Sequence, residues 1–359
     1  MTARARGGGA RAIQPRRAAE ATRGYHPPLE GRGGKLRLDF NENTVGCSPA
    51  VRRALRKMTS EATSMYPEQE TVRRKLARHF GVAADELLLT NGTDDALHLV
   101  TDTFVDRGDE VVIVEPTFAM YRFYSELAGA RVTALRYDEQ MRFPLASVLA
   151  ALRRGPRVFF LANPNNPTGT VLRESELRLL LRAAPKTLVV IDEAYFEYCD
   201  ISAIRWIRRE PNLVVTRTFS KAAGMAGLRL GCVFTCRENA AAMRKAASPY
   251  PVNVAALTAA VACASDRAYM RRTVSESRRS RVMLVEGLRK LGVEQFPSAA
   301  NFVLTFIGER AKSVVEALRA RGILVRDRSS DFGGRGYVRI TIGTVAQTRR
   351  ALRALREVL

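Results

Sequence analysis

The stretch TLVVIDEAY (187–195) decides the fold. Leu188 to Ile191 are apolar at every position, and the run then stops on an aspartate. A strand with one wet face alternates apolar and polar residues, whereas a strand apolar on both faces is covered by helices on two sides. The same kind of run recurs on either side: ELLLT (86–90), EVVIVEP (110–116), RVTALRY (131–137), RVFFLA (157–162), NLVVTRT (212–218) and RLGCVFT (229–235). Amphipathic segments such as Glu174–Ala183 lie between many of them. Strands alternating with helices predict an α/β fold with an open, mostly parallel sheet of seven strands. Between the last two runs, Lys221 to Gly227 leave no room for a crossover helix, so the final strand is expected to run antiparallel.

Beyond residue 240 the pattern changes. Helical stretches (237–247 and 254–292) precede a strand-like NFVLTF (301–306), a helix (310–321), the strands ILVRDR (323–328) and YVRITIGT (337–344), and a last helix. This reads as a smaller α+β domain. The expected division is a flexible basic tail (1–24), an N-terminal arm joining the small domain (25–50), a large domain (51–245) and the small C-terminal domain (246–359). No internal repeat appears.

Composition narrows the function classes. The chain has 359 residues, 46% hydrophobic and 26% charged, enough for a large core. Its longest nearly apolar run, Ala255 to Ala264, is well short of the roughly 20 residues that a membrane helix needs. The N-terminus carries no apolar stretch of the signal-peptide kind, so a cytoplasmic protein is expected. Five scattered cysteines suggest reduced thiols, with neither a disulfide framework nor a metal site. The formal charge is +22, and residues 1–24 hold six arginines against one glutamate. Elsewhere acidic residues are interleaved and no block of like charge forms, so neither a nucleic-acid nor a membrane partner is expected. A basic pocket for phosphorylated or carboxylated substrates is the economical use of some of that charge.

Five segments follow the strand ends, where ligands bind in open α/β sheets. In TFSKAAGMAGLR (218–229), Lys221 comes directly after a buried strand. Burying an ammonium is costly, and such a lysine can serve as an amine nucleophile that forms a Schiff base. Ser220 and Arg229 beside it offer a hydroxyl and a guanidinium to a phosphate. In IDEAY (191–195), Asp192 is expected to be buried and therefore needs a cationic partner. The ring nitrogen of pyridoxal phosphate is one such cation, and a protonated ring is an electron sink. Tyr195 and, in the loop ANPNNPTGT (162–170), Asn166 suit the oxygen on the same ring. In TNGTDDAL (90–97), Gly92, Thr93 and Asp94 open a helix whose free N–H groups suit a phosphate. In EPTFAMY (115–121), Phe118 suits stacking on a ring. Singly, each has an ordinary structural explanation; together they describe one cofactor.

The combination resembles the fold-type I pyridoxal-phosphate-dependent aminotransferases of class I/II, over nearly all of residues 25–359. NNPTG (165–169), DEAY (192–195) and SKAAGMAGLR (220–229) carry the resemblance. Within that group the chain is most similar to the histidinol-phosphate aminotransferases, through DFNEN (39–43), MYP (65–67), PYPVN (249–253), ANF (300–302), VRDR (325–328) and VRITIGT (338–344). The resemblance implies that Lys221 is the Schiff-base lysine, that Asp192 pairs with the ring nitrogen, and that Tyr195 and Asn166 contact the ring oxygen. It implies a phosphate held by Thr93, Asp94, Ser220 and Arg229, and by Tyr66 from a neighbouring subunit of a homodimer with shared active sites. It assigns Arg339, Arg326 and Tyr25 to the substrate, and it implies an amino donor and a keto acceptor that are both small molecules. The chain departs from the group's pattern at Phe118, where tyrosine is frequent, at NENT (41–44) and at GYHPP (24–28). The alternatives are an aromatic amino-acid aminotransferase, a threonine-phosphate decarboxylase or, more remotely, a non-catalytic protein that binds pyridoxal phosphate or nucleic acid.

Overall fold

The computed structural model describes residues 13–24 and 28–359. Its twelve strands, among the described residues, are β1 (Leu36–Leu38), β2 (Leu87–Thr90), β3 (Glu110–Glu115), β4 (Arg131–Arg136), β5 (Val158–Ala162), β6 (Leu188–Asp192), β7 (Leu213–Thr218), β8 (Gly231–Thr235), β9 (Glu294–Gln295), β10 (Phe302–Phe306), β11 (Ile323–Asp327) and β12 (Tyr337–Thr341).

Strands β2 to β8 form the larger sheet, in the order β2-β8-β7-β6-β5-β3-β4. All seven runs read from the sequence are strands of it. Only β8 runs against its neighbours, pairing antiparallel with both β2 and β7. The short link from Lys221 to Gly227 explains this, because a parallel return needs a crossover of a dozen or more residues.

The unbroken apolar runs are explained by two buried faces. Val111, Val158, Val190, Val214 and Val233 pack on one side. Their neighbours Val112, Phe159, Val189, Leu213 and Cys232 pack on the other. Helices cover both sides, and the strand's period of two divides each run between two cores. Because β2, β3, β5, β6 and β7 are parallel to one another, their C-terminal ends open on the same edge of the sheet.

The smaller sheet has the order β1-β11-β12-β10-β9. Strand β1 comes from the N-terminal arm and pairs parallel with β11, and the remaining pairings are antiparallel. Leu38, Val303, Ile323, Val338 and Ile340 form its core with Leu284, Leu288 and Leu355 of the covering helices.

Two features differ from the sequence reading. The stretch expected as one helix (254–292) is two, Val254–Ser265 and Arg267–Lys290. Asp266 separates them, and its side chain caps the second by accepting from the Tyr269 N–H at 3.2 Å. Within the expected tail, Arg17–Ala21 form a short helix beside the helix Met120–Ala128. Its RAAEA sequence consists of strong helix formers. Among the described residues, no helix is long and apolar enough to cross a membrane.

Candidate active site

A cavity of about 600 Å³ lies between the C-terminal edge of the larger sheet and the arm that leads out of β1. Lys221 enters it from the turn after β7. The Ser220 N–H caps back onto the Thr218 hydroxyl at 3.0 Å, which tightens that turn. The Lys221 Nζ donates to the Phe40 carbonyl oxygen at 3.0 Å and lies 5.7 Å from the centre of the Tyr195 ring. The lysine is therefore held at the boundary between sheet and arm, by a bond that an incoming group can displace.

Asp192 ends β6 and is 4% exposed. Its carboxylate accepts from the Tyr121 hydroxyl at 2.8 Å, the Thr216 hydroxyl at 3.0 Å and the Ala194 N–H at 3.1 Å. Burial pushes its pKa up to about 6 against the opposing pull of those three bonds. Among the described residues no cationic side chain forms an ion pair with it. A buried carboxylate that has neutral donors but, among the described residues, no ion-pair partner, and that faces a cavity, fits a ligand that brings its own positive N–H.

Tyr195 is 4% exposed, and its hydroxyl accepts from Asn41 Nδ2 at 3.0 Å. Its ring packs edge-on against Phe302 at 5.2 Å. Phe118 lies on the cavity wall, edge-on to Tyr121 at 5.8 Å. Asn166 also faces the cavity, and its Oδ1 accepts from Arg339 Nη1.

At one end of the cavity is an anion cup. The helix Gly92–Phe104 begins there, with Thr93 and Asp94 in its first turn. Gly92 has φ 78°, and a Cβ on it would come within 2.4 Å of Arg229 Nη2. Only glycine lets that guanidinium approach the helix start. Arg229 Nη2 donates to Asp94 Oδ2 at 2.9 Å, and Nη1 to Ser220 Oγ at 3.4 Å. The Asp94 carboxylate is thus turned to the arginine. Toward an anion Asp94 can offer its main-chain N–H, not its side chain.

The opposite end is rich in guanidinium groups: Arg32, Arg326, Arg328 and Arg339 all line it. Arg326 on β11 and Arg339 on β12 are direct cross-strand partners. Like charges in that position repel, and the Asp331 carboxylate, which feels both guanidinium groups, offsets part of that repulsion. Arg339 Nη2 donates to the Asp39 carbonyl at 2.5 Å, which orients it from the arm. Arg32 is held by Asp39, at 3.0 and 2.8 Å, and by Glu42. Its guanidinium stacks 4.2 Å from the centre of the Phe40 ring, while that of Arg326 lies 5.4 Å from the same ring.

The structure thus brings together Thr93, Asp94, Phe118, Asn166, Asp192, Tyr195, Ser220, Lys221, Arg229, Arg326 and Arg339, with Gly92 under the cup. Tyr66 does not join them: it is 76% exposed and stacks on Tyr250 with ring centres 4.2 Å apart. Tyr25 lies outside the described residues.

The sequence reading missed Tyr121, Asn41 and Arg32. Tyr121 stands one helical turn past Phe118 in EPTFAMY, so it could have been found. Asn41 is in the quoted DFNEN, but its partners are far away in sequence. Nothing local marks Arg32. No cluster of His, Cys, Asp and Glu suited to a metal occurs among the described residues, and all five cysteines are free.

The family described as aminotransferase class I and II matches residues 34–355. The chain is 39% identical to a histidinol-phosphate aminotransferase of Symbiobacterium thermophilum, over 90% of each chain. It is 37% identical to histidinol-phosphate aminotransferase 2 of Methylococcus capsulatus, again over 90% of each. Among solved structures, the histidinol-phosphate aminotransferase of Sinorhizobium meliloti in complex with pyridoxal-5'-phosphate superposes with a TM-score of 0.88 at 26% identity. That superposition covers 97% of this chain and 98% of the other.

Proposed function

From the premise that this chain belongs to the class I and II aminotransferases, we propose that it is a pyridoxal-phosphate-dependent histidinol-phosphate transaminase. It would exchange an amino group between L-histidinol phosphate and 2-oxoglutarate, giving imidazole-acetol phosphate and L-glutamate. One observation supports this above the rest: Lys221 and a buried Asp192 with no cationic partner among the described residues face one cavity that carries an anion cup at one end and four arginines at the other.

The cofactor, when bound, supplies an electron sink for the bond broken at the substrate's α-carbon. The chain's residues do the rest. Lys221 would release the Phe40 carbonyl, take the proton from the substrate's α-carbon and pass it on to the cofactor's C4′ carbon, with the same transfer run backwards in the other half-reaction. Asp192 would hold a proton on the ring nitrogen, and that cation would give the buried carboxylate an ion-pair partner that it lacks among the described residues. Tyr195 and Asn166 would direct polar groups to the ring oxygen, and Phe118 would offer its ring for stacking. Ser220, Arg229 and the main-chain N–H groups of Thr93 and Asp94 hold the phosphate.

Arg339 and Arg326 bind the glutamate carboxylate in one half-reaction and the substrate phosphate in the other; for Tyr25, outside the described residues, a substrate role rests on the resemblance alone. Both are anions, so one cationic pair can serve both halves. Tyr66 is too exposed to serve its own cavity, and in our reading it completes that of a second copy in a homodimer. We take the large and small domains to meet near residue 245 and place the enzyme in the cytoplasm; both rest on the sequence.

Absorbance of the purified protein with added pyridoxal phosphate tests the reading. A visible band is expected that L-histidinol phosphate and L-glutamate each convert, and that Lys221→Ala never shows. Initial rates against both substrates should give parallel lines. A band converted by phenylalanine but not by histidinol phosphate would point to the aromatic alternative. Release of CO2 from threonine phosphate would point to the decarboxylase.

A further inference from the structure

We infer that Asn41 is a positioning residue, which fixes the direction in which the Tyr195 hydroxyl donates its proton. The inference rests on the reading of the cavity as a pyridoxal-phosphate site and deepens it. Asn41 is 1% exposed and sits at φ 57°, a left-handed conformation that asparagine tolerates better than most residues. Both ends of its main chain are held. Its N–H donates to Thr341 Oγ1 at 3.0 Å, and its carbonyl accepts from Asn301 Nδ2 at 3.0 Å.

The direction follows from counting protons. The Thr341 hydroxyl has one proton. It donates that proton to Asn41 Oδ1 at 3.0 Å, while accepting from the Asn41 N–H. Turning the Asn41 amide over would present Nδ2 to Thr341 and strand the Thr341 proton without an acceptor at a site 1% exposed. The amide nitrogen therefore faces Tyr195, whose hydroxyl accepts from it at 3.0 Å. A phenol oxygen that accepts from one side keeps its own proton for another. Tyr195 lines the cavity, so that proton is available to an acceptor inside it. A donor aimed at an anionic oxygen favours its deprotonated form.

Asn41→Asp reverses the polarity with almost no change of shape. A carboxylate has no proton to give, so Tyr195 must donate to it and the hydroxyl proton leaves the cavity. Thr341→Val removes the group that fixes the amide, without adding charge, and Thr341→Ser restores that group.

The test reconstitutes the wild type and these three variants with pyridoxal phosphate. It titrates the visible absorbance of the bound cofactor against pH and measures cofactor dissociation by equilibrium dialysis. Asn41→Asp is expected to raise the titration midpoint by about one pH unit and to weaken cofactor retention about tenfold. Thr341→Val should move both part of the way, and Thr341→Ser should stay at the wild-type values. An unchanged midpoint in a folded Asn41→Asp protein overturns the inference, and so does a Thr341→Ser shift as large as that of Thr341→Val. A wild-type protein that takes up no cofactor overturns the functional reading itself, which separates the two failures.

Discussion

The two walls of the cavity are built in different ways. The sheet wall is local. Lys221, Asp192, Asn166, Phe118 and Thr93 each stand within a few residues of the C-terminal end of a parallel strand. The arm wall is assembled from distant parts of the chain. Asn41 meets Thr341, and Asp39 meets Arg339, across 300 residues; Arg339 meets Asn166 across 173. The charges divide in the same way. The sheet wall sets a buried carboxylate at the centre of the cavity, whereas the arm wall sets Arg32, Arg326, Arg328 and Arg339 around its far end. In the function proposed above, the sheet wall would hold the cofactor and the arm wall the anionic substrates that exchange.

The sharpest way to break this division is at Lys221, which belongs to the sheet wall but rests on the arm. Lys221→Ala should lower kcat by on the order of 10⁴-fold, the upper range for a general acid–base group. Circular dichroism should stay that of the wild type, because the lysine's recorded bond is a single one to a carbonyl. A loss of less than about tenfold would take the chemistry away from this residue.

Asp192 separates the cost of the sheet wall from its use. Its folded pKa of about 6 lies above the ordinary 3.8. Between those values the folded protein keeps a proton that the unfolded chain has lost. Stability of the cofactor-free protein therefore falls as pH rises through that window, and the deficit persists above it. Asp192→Asn removes the deficit. The cofactor-free variant should be more stable than the cofactor-free wild type by up to about 3 kcal/mol above pH 6. That gap should close below pH 4, and transamination should be largely lost. Thermal melts across pH read the first effect and rate assays the second. A variant less stable than the wild type at pH 7 would show that the three donors to Asp192 outweigh its burial.

On the arm wall the expected loss is smaller and of another kind. Arg339→Lys keeps the charge but gives up the two-nitrogen geometry that bridges Asn166 and Asp39. It should lower kcat/KM for both substrates by about 10- to 100-fold, mainly through KM. Cofactor retention should change much less. A loss confined to retention would place Arg339 functionally on the sheet wall.

The same contrast explains what could be read from the sequence. The seven strands of the larger sheet were legible because burial on two faces leaves an unbroken apolar run. The sheet wall was legible because its chemistry sits at the ends of those runs. Strands β1 and β9 were not, since three and two residues carry no period. The break at Asp266 was hidden inside a continuous helical pattern. Asn41 was quoted only as part of a pattern, since its role exists only once Thr341 and Tyr195 are beside it. Arg32 had no local mark at all.

Tyr66 belongs to neither wall, and it tests whether the cavity is complete within one chain. With Met65, 64% exposed, and its stacking partner Tyr250, 56% exposed, it forms an apolar surface cluster of the kind that marks an interface. If its hydroxyl reaches the phosphate of a second copy, Tyr66→Phe should keep the stack with Tyr250 and weaken cofactor retention about tenfold. The decisive form mixes Tyr66→Phe with Lys221→Ala and lets subunits exchange at limiting cofactor. A hybrid dimer then has one cavity with both defects and one with none. About half of the dimers are hybrids, so activity should rise to about a quarter of wild type. Were Tyr66 acting within its own chain, each hybrid cavity would keep its parent's single defect and mixing would add nothing beyond the average of the two parents. Recovery on mixing would make the homodimer part of the catalytic unit, and its absence would return Tyr66 to the surface of a self-sufficient chain.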